Sequence, residues 1–277
     1  MWVRYTHTRL SIEFHCSSTT GCVGKKMAVV WDGVSGDDHY QVRTAGGSVR
    51  LYRNKVFHSQ WNSNRPLSGG VWDLLFLPAL FMPQESLQRV LLLGVGGGAV
   101  IRQYQTLLPV KQVVGVELDP IHIKIAHEYF GLDQPGVELI EADAINWVHQ
   151  YRGPKFDIVI EDLFTEIEGE PVRVKEADAE WFLQLHELIR PGGTLIVNFE
   201  DPAQLRESNR VYPAVTDVAE DNRFAFTLPT YGNCVGAYLS VPSEPGTLRD
   251  KLDKILVGYP ASRASAQKFR VRRVRAK

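Results

Sequence analysis

Between residues 89 and 199 the chain alternates short apolar runs with amphipathic stretches, a pattern that predicts a parallel α/β sheet. The run at 90–93 ends in Gly94, Gly96, Gly97 and Gly98, helical spacing follows at 101–108, and a second apolar run at 113–116 ends at Glu117. Asp119 and Pro120 suit the cap and first position of an amphipathic helix at 121–130. Further strands are predicted at 137–140, 156–160 and 194–199. Helices are predicted from after Asp143 to about residue 150, at 180–190 with Pro191-Gly192-Gly193 as its stop, and at 213–220. Two closing runs, 224–228 and 235–241, lie close enough to form a hairpin, and 248–256 reads as a last helix. Ahead of the alternation, 27–64 holds four short aromatic and β-branched runs split by turn residues, which predicts a small antiparallel unit of hairpins. Such a unit has exposed edges and is expected to pair with a second copy, giving a homodimer. Residues 71–81 are apolar on nearly every side and read as a buried helix that Pro78 bends or ends.

The 277 residues thus divide into an extension at 1–26 expected to be disordered, the hairpin unit at 27–64, an α/β domain at 65–257, and a basic tail at 258–277, of which 268–277 is expected to be disordered and solvated. The extension is rich in Thr, Ser and basic residues, with Glu13 its only acid, so a transit peptide is the other reading of it. A hydrophobic share of 44% with 23% charged residues fits a soluble globular protein with a full core. A formal net charge of −1 gives no general attraction to nucleic acid or membrane, so neither is expected as a partner. The longest apolar run, 71–82, is too short for a membrane span and contains Asp73 and Pro78. Cys16, Cys22 and Cys234 are too few and too scattered for a disulfide framework or zinc site, which fits a reducing cytoplasm. His122, His127, His149 and His186 lack metal-ligand spacing, so no metal is expected.

The glycine cluster carries the chemistry. Glycines let backbone N–H groups approach a bulky ligand, and the helix N-terminus behind them is partly positive. Glu117 ends the next strand at the same sheet edge, where a carboxylate can accept from a ribose diol. Asp143 ends the third strand there and can accept from an adenine amino group; Asp162 ends the fourth. Each of these carboxylates could instead only cap the helix that follows it. Gly94-x-Gly96-x-x-Ala99 also satisfies the dinucleotide fingerprint, so NAD stays open on this motif alone. The successive carboxylates, the Pro-Gly-Gly turn and the closing hairpin favour an adenosyl sulfonium ligand instead.

VLLLGVGGGAVIRQ followed by VVGVELDPIHIKIAHEYF, then VELIEADAINWV, FDIVIEDLF and IRPGGTLIV, resembles the spermidine synthase family, the polyamine aminopropyltransferases. The resemblance spans roughly residues 40–240. It implies a Rossmann-like, seven-stranded, methyltransferase-type sheet with a small N-terminal β unit. It implies that Glu117 holds the ribose, Asp143 the adenine, and Gly94 to Gly98 the alkyl arm of S-adenosylmethionine or its decarboxylated form. Asp162 matches the family carboxylate that engages the attacking amine. Three positions depart from the family. Gly97 stands where an Asp grips the amine end, Leu163-Phe164-Thr165-Glu166 replaces Ser-Ser/Thr-Asp-Pro, and Val71-Trp72-Asp73 replaces Tyr-His-Glu.

The expected activity is alkyl transfer from the sulfonium to an amine, with Asp162 as the catalytic carboxylate. The segment from Glu161 to Glu170 reads as an acidic loop that either attracts the amine or merely faces water. A small-molecule methyltransferase is the alternative, because loss of the Asp at Gly97 is expected to free space and remove a grip. A catalytically weak nucleoside-binding scaffold is a further one. His58 to Trp61 either borders the site or packs at an edge.

Overall fold

The computed structural model describes residues 27–167, 170–216, 218–266 and 268–274. The expectation for 1–26 lies outside these residues. The strands β1 (Ala28–Ser35), β2 (Asp38–Ala45), β3 (Ser48–Arg53) and β4 (Val56–Asn62) form an antiparallel meander in chain order. Their period-2 alternation turns Tyr40, Val42, Leu51 and Trp61 onto Ile125 and Phe130 of the helix α3 (Pro120–Phe130). The meander is therefore seated on the main body. Among the described residues its first strand is an edge of this sheet, with Val29, Val30 and Val34 exposed.

The expected helix at 71–81 is present in two parts, α1 (Val71–Phe76) and a 3-10 turn (Leu77–Phe81). Pro78 lies in the first turn of the second part, where its missing N–H is least costly. The main sheet has the order β14-β12-β13-β11-β8-β5-β6-β7. Strands β5 (Arg89–Leu93), β6 (Gln112–Glu117), β7 (Val137–Glu141), β8 (Phe156–Glu161) and β11 (Ile189–Phe199) run parallel. The helices α2 (Ala99–Leu107), α3, α4 (Ala144–Gln150) and α5 (Ala179–Glu187) alternate with them. The closing hairpin β12 (Arg223–Thr227) and β13 (Cys234–Leu239) is antiparallel. Apolar clusters cover both faces of the sheet.

Four expectations need correction. The tail is not wholly solvated: it forms α8 (Pro260–Ala266) and β14 (Arg270–Arg273), which pairs with β12 and makes the sheet eight-stranded rather than seven-stranded. The pattern is strand-like once the partner edge exists, with Phe269 buried, Val271 half-buried and Arg270 and Arg272 exposed. The acidic loop is a hairpin, β9 (Phe164–Ile167) with β10 (Glu170–Arg173). The helix expected at 213–220 is α6 (Pro202–Val215), and its Asp201-Pro202 start matches the Asp119-Pro120 signature. Pro191-Gly192-Gly193 does not stop α5, which ends at Glu187; it forms an irregularity inside β11, between Ile189 and Thr194. The helix α7 (Pro245–Ile255) falls where one was predicted. No helix among the described residues is long and apolar enough to cross a membrane.

Candidate active site

The carboxyl ends of β5, β6, β7, β8 and β11 open on one cavity of ≈ 520 Å³, roofed by Phe57, His58 and Trp72 from the meander and α1. This is the crevice where open α/β sheets bind ligands. Gly94 turns the chain at φ +85°, and a Cβ there would collide with the Asp162 carbonyl, so the ends of β5 and β8 meet backbone to backbone. Gly94 and Gly96 border the cavity. Gly97 does not. It faces inward, and a Cβ on it would stand 2.7 Å from Phe130 Cζ and 2.8 Å from Ser59 Cβ. The space expected to be freed at Gly97 is filled. Gly98 is buried at the start of α2, against Leu132.

Glu117 is buried at the end of β6. Its Oε2 accepts from the N–H groups of Val95 and Gly96, both at 2.8 Å, and its Oε1 from the N–H of Asp119 at 3.0 Å. Burial pushes its pKa up, but His122, with Nδ1 3.7 Å away, and the surrounding N–H groups outweigh this and bring it down to about 2. Glu117 therefore braces the glycine turn as well as facing the cavity. Asp143 caps α4 by accepting from Asn146 N–H at 2.8 Å, and it also lines the cavity. The cap and site readings of Asp143 are thus compatible.

Asp162 lies just past β8, partly buried, and Asn198 Nδ2 donates to its Oδ1 at 2.8 Å. Burial raises its pKa to about 6; Asn198 and Arg173 oppose this and Glu117 adds to it. The preceding Glu161 is fully buried and lies outside the cavity wall. Arg173 holds it in a bidentate pair at 2.8 and 3.1 Å and also donates to the Asn198 carbonyl. Burial raises the Glu161 pKa against that pairing. This pair anchors the β9–β10 hairpin beside the cavity.

Several cavity residues escaped the sequence reading. His122, which the sequence marks only as lacking metal-ligand spacing, lines the cavity, with its ring 5.3 Å from that of His58. His58 borders the site as one of its two readings held, and burial lowers its pKa to about 4, which leaves it neutral at pH 7. Trp61 packs in the meander core instead. Arg53, Asn198, Tyr231 and Asn233 also line the cavity. Arg53 and His58 reach it only because the meander folds over α3, a long-range placement with no local signal. Among the described residues, no group of three or more His, Cys, Asp or Glu side chains could hold a metal ion.

Residues 74–250 match the family model of the spermine/spermidine synthase domain. The polyamine aminopropyltransferase of Synechococcus sp. strain JA-2-3B'a(2-13) is 29% identical over 180 residues, which cover 61% of this chain and 57% of that protein. The chain spans about half the length of the curated relatives it matches. A probable spermidine synthase from Corynebacterium glutamicum ATCC 13032 superposes with a TM-score of 0.68 at 16% identity, over 89% of this chain and 91% of that one. Human methyltransferase-like protein 13, solved with SAH, gives 0.51 at 17% identity over 72% and 90%. Both share the Rossmann-like, methyltransferase-type fold.

Proposed function

The chain belongs to the spermine/spermidine synthase family, and on that premise we propose that it transfers an alkyl group from S-adenosylmethionine or its decarboxylated form to an amine. Adenine lies by Asp143, the ribose over Glu117, and the sulfonium arm along Gly94 to Gly96. The acceptor nitrogen meets Asp162. Its lone pair attacks the carbon on sulfur, the C–S bond breaks, and the electron pair returns to sulfur as a neutral thioether. The leaving group needs no acid, so the protein's work is alignment, exclusion of water and removal of one proton from the amine. A carboxylate with a pKa of about 6 is ionised at pH 7 and close enough to neutrality to take that proton.

The observation that carries this reading is the position of Asp162, whose carbonyl touches the glycine turn and whose carboxylate Asn198 fixes. Methyl transfer from S-adenosylmethionine is the second reading. It is favoured by Gly97, where Phe130 and Ser59 leave no room for a carboxylate to grip an aminopropyl nitrogen. Thermal unfolding with S-adenosylmethionine, its decarboxylated form, methylthioadenosine and NAD tests the site. Stabilisation by the adenosyl sulphur compounds is expected through mass action. Stabilisation by NAD alone overturns the proposal.

A further inference from the structure

The hairpin β9–β10 brings a carboxylate to the cavity that the family resemblance does not assign. β9 and β10 pair only with each other among the described residues. The ladder continues one residue inward, where Val174 N–H donates to the Leu163 carbonyl at 3.0 Å. The chain from Leu163 to Glu166 is thus extended, and alternate residues share a face. Every residue from Asp162 to Glu166 lines the cavity, and within β9 Phe164 and Glu166 are half-buried while Thr165 and Ile167 are exposed. Thr165 stands where the family has its second Asp, and it lines the cavity as an exposed residue.

The Oε2 atom of Glu166 is buried without a hydrogen-bond partner. The other cavity carboxylates are engaged: Glu117 by backbone N–H groups, Asp119 by Tyr40 and its own helix, Asp143 by its helix, and Asp162 by Asn198. A carboxylate oxygen withdrawn from water without a donor is destabilising until a cationic group meets it. The spacing says which cation. Asp162 and Glu166 are four residues apart, a backbone separation of up to roughly 13 Å where the chain is extended, whereas the five bonds between the nitrogens of a four-carbon diamine span roughly 6 Å.

We propose that Glu166 is a specificity-determining residue that holds the distal ammonium of a long acceptor, an extended polyamine, with Asp162 at the reacting nitrogen and Phe164 under the methylenes between. The proposal rests on the amine-alkylation reading. It is tested with α,ω-diamines of three to ten carbons against the full chain, its Glu166→Gln variant and its Glu166→Asp variant. Binding is read by calorimetry with methylthioadenosine present, and alkylation by mass spectrometry with each sulfonium donor. The wild-type chain is expected to bind diamines of eight or more carbons about 10-fold more tightly than the four-carbon one, the value of one charge-assisted hydrogen bond. Glu166→Gln flattens that profile and leaves monoamines unaffected. Glu166→Asp, retracted by one methylene, shifts the optimum to a longer amine. An optimum at four carbons, a profile that ignores both variants, or no diamine binding overturns the proposal. Length-selective binding that Glu166→Gln abolishes, without alkylation by either donor, upholds the role of Glu166 and overturns the transfer reading. Alkylation that ignores Glu166→Gln does the reverse.

Discussion

Adding one methyl group at Gly97 probes how the glycine turn is built. The new Cβ would lie 2.7 and 2.9 Å from Phe130 Cζ and Cε2 and 2.8 Å from Ser59 Cβ, all closer than carbon atoms pack. Phe130 is 2% exposed and Ser59 1%, so neither has open space to retreat into. Gly97 is outside the left-handed region, so backbone strain is not the issue. In an open site Gly→Ala would stabilise by about 0.4–1 kcal/mol through the unfolded chain. Overpacking here costs about 1–3 kcal/mol, and the balance is a net loss of about 1–2 kcal/mol for Gly97→Ala. Gly97→Asp, which installs the family's residue, loses a further ~1–3 kcal/mol because a carboxylate is larger still and is withdrawn from water against Phe130. Urea unfolding monitored by tryptophan fluorescence gives both values. Phe130→Leu in the Gly97→Ala background should recover part of the loss, with a coupling energy of about 1 kcal/mol in a double-mutant cycle. A neutral or stabilising Gly97→Ala, with additive behaviour toward Phe130→Leu, would refute the packing argument.

Asp162→Asn should lower kcat by ~100-fold or more while methylthioadenosine affinity stays within about 3-fold. Because burial raises the Asp162 pKa to about 6, the catalytic carboxylate forms as pH rises through that value; wild-type kcat/KM should climb tenfold per pH unit below about 6 and level off above. The same shift has the opposite sign for stability: Asp162 favours the fold fully below its unfolded pKa and loses that contribution as pH rises through about 6. Glu117→Gln leaves one acceptor oxygen for N–H groups on both sides, so its NH2 must face either the N–H of Asp119 or those of Val95 and Gly96, and it should weaken nucleoside binding by ~10-fold or more and cost about 1–3 kcal/mol in urea unfolding. Arg173→Met strands the buried Glu161 and should cost about 3–5 kcal/mol at pH 8, less at pH 5 where Glu161 can take up a proton.

What the sequence revealed, and what it hid, divides along the range of the interactions. Glu117, Asp143 and Asp162 could be placed because each ends an apolar run, and the period of a parallel sheet sends all such ends to one edge. Asp119-Pro120 and Asp201-Pro202 are the same local signal, yet α6 was misplaced because its polar face masks the helical spacing. The strand at Arg270–Arg273 was hidden because a four-residue run looks solvated until the β12 edge is beside it. The segment from Glu161 to Glu170 reads as an acidic loop because its carboxylates dominate its composition; the alternation that half-buries Phe164 and Glu166 emerges only with the β10 partner strand. Gly97 shows the limit most directly. Its identity was legible, and its consequence was not, since that depends on Phe130 and Ser59 arriving from α3 and β4.

The central claim is that Asp162 engages an amine attacking an adenosyl sulfonium held by Glu117 and the glycine turn. The most direct measurement is mass analysis of an amine mixture incubated with the full chain and each sulfonium donor, beside the Asp162→Asn variant. The account predicts a donor-dependent mass gain on an amine, of an aminopropyl or a methyl group, with the matching thioether released in equal amount and both lost in the variant. An unchanged amine pool with both donors, or a mass gain that Asp162→Asn leaves intact, would contradict it.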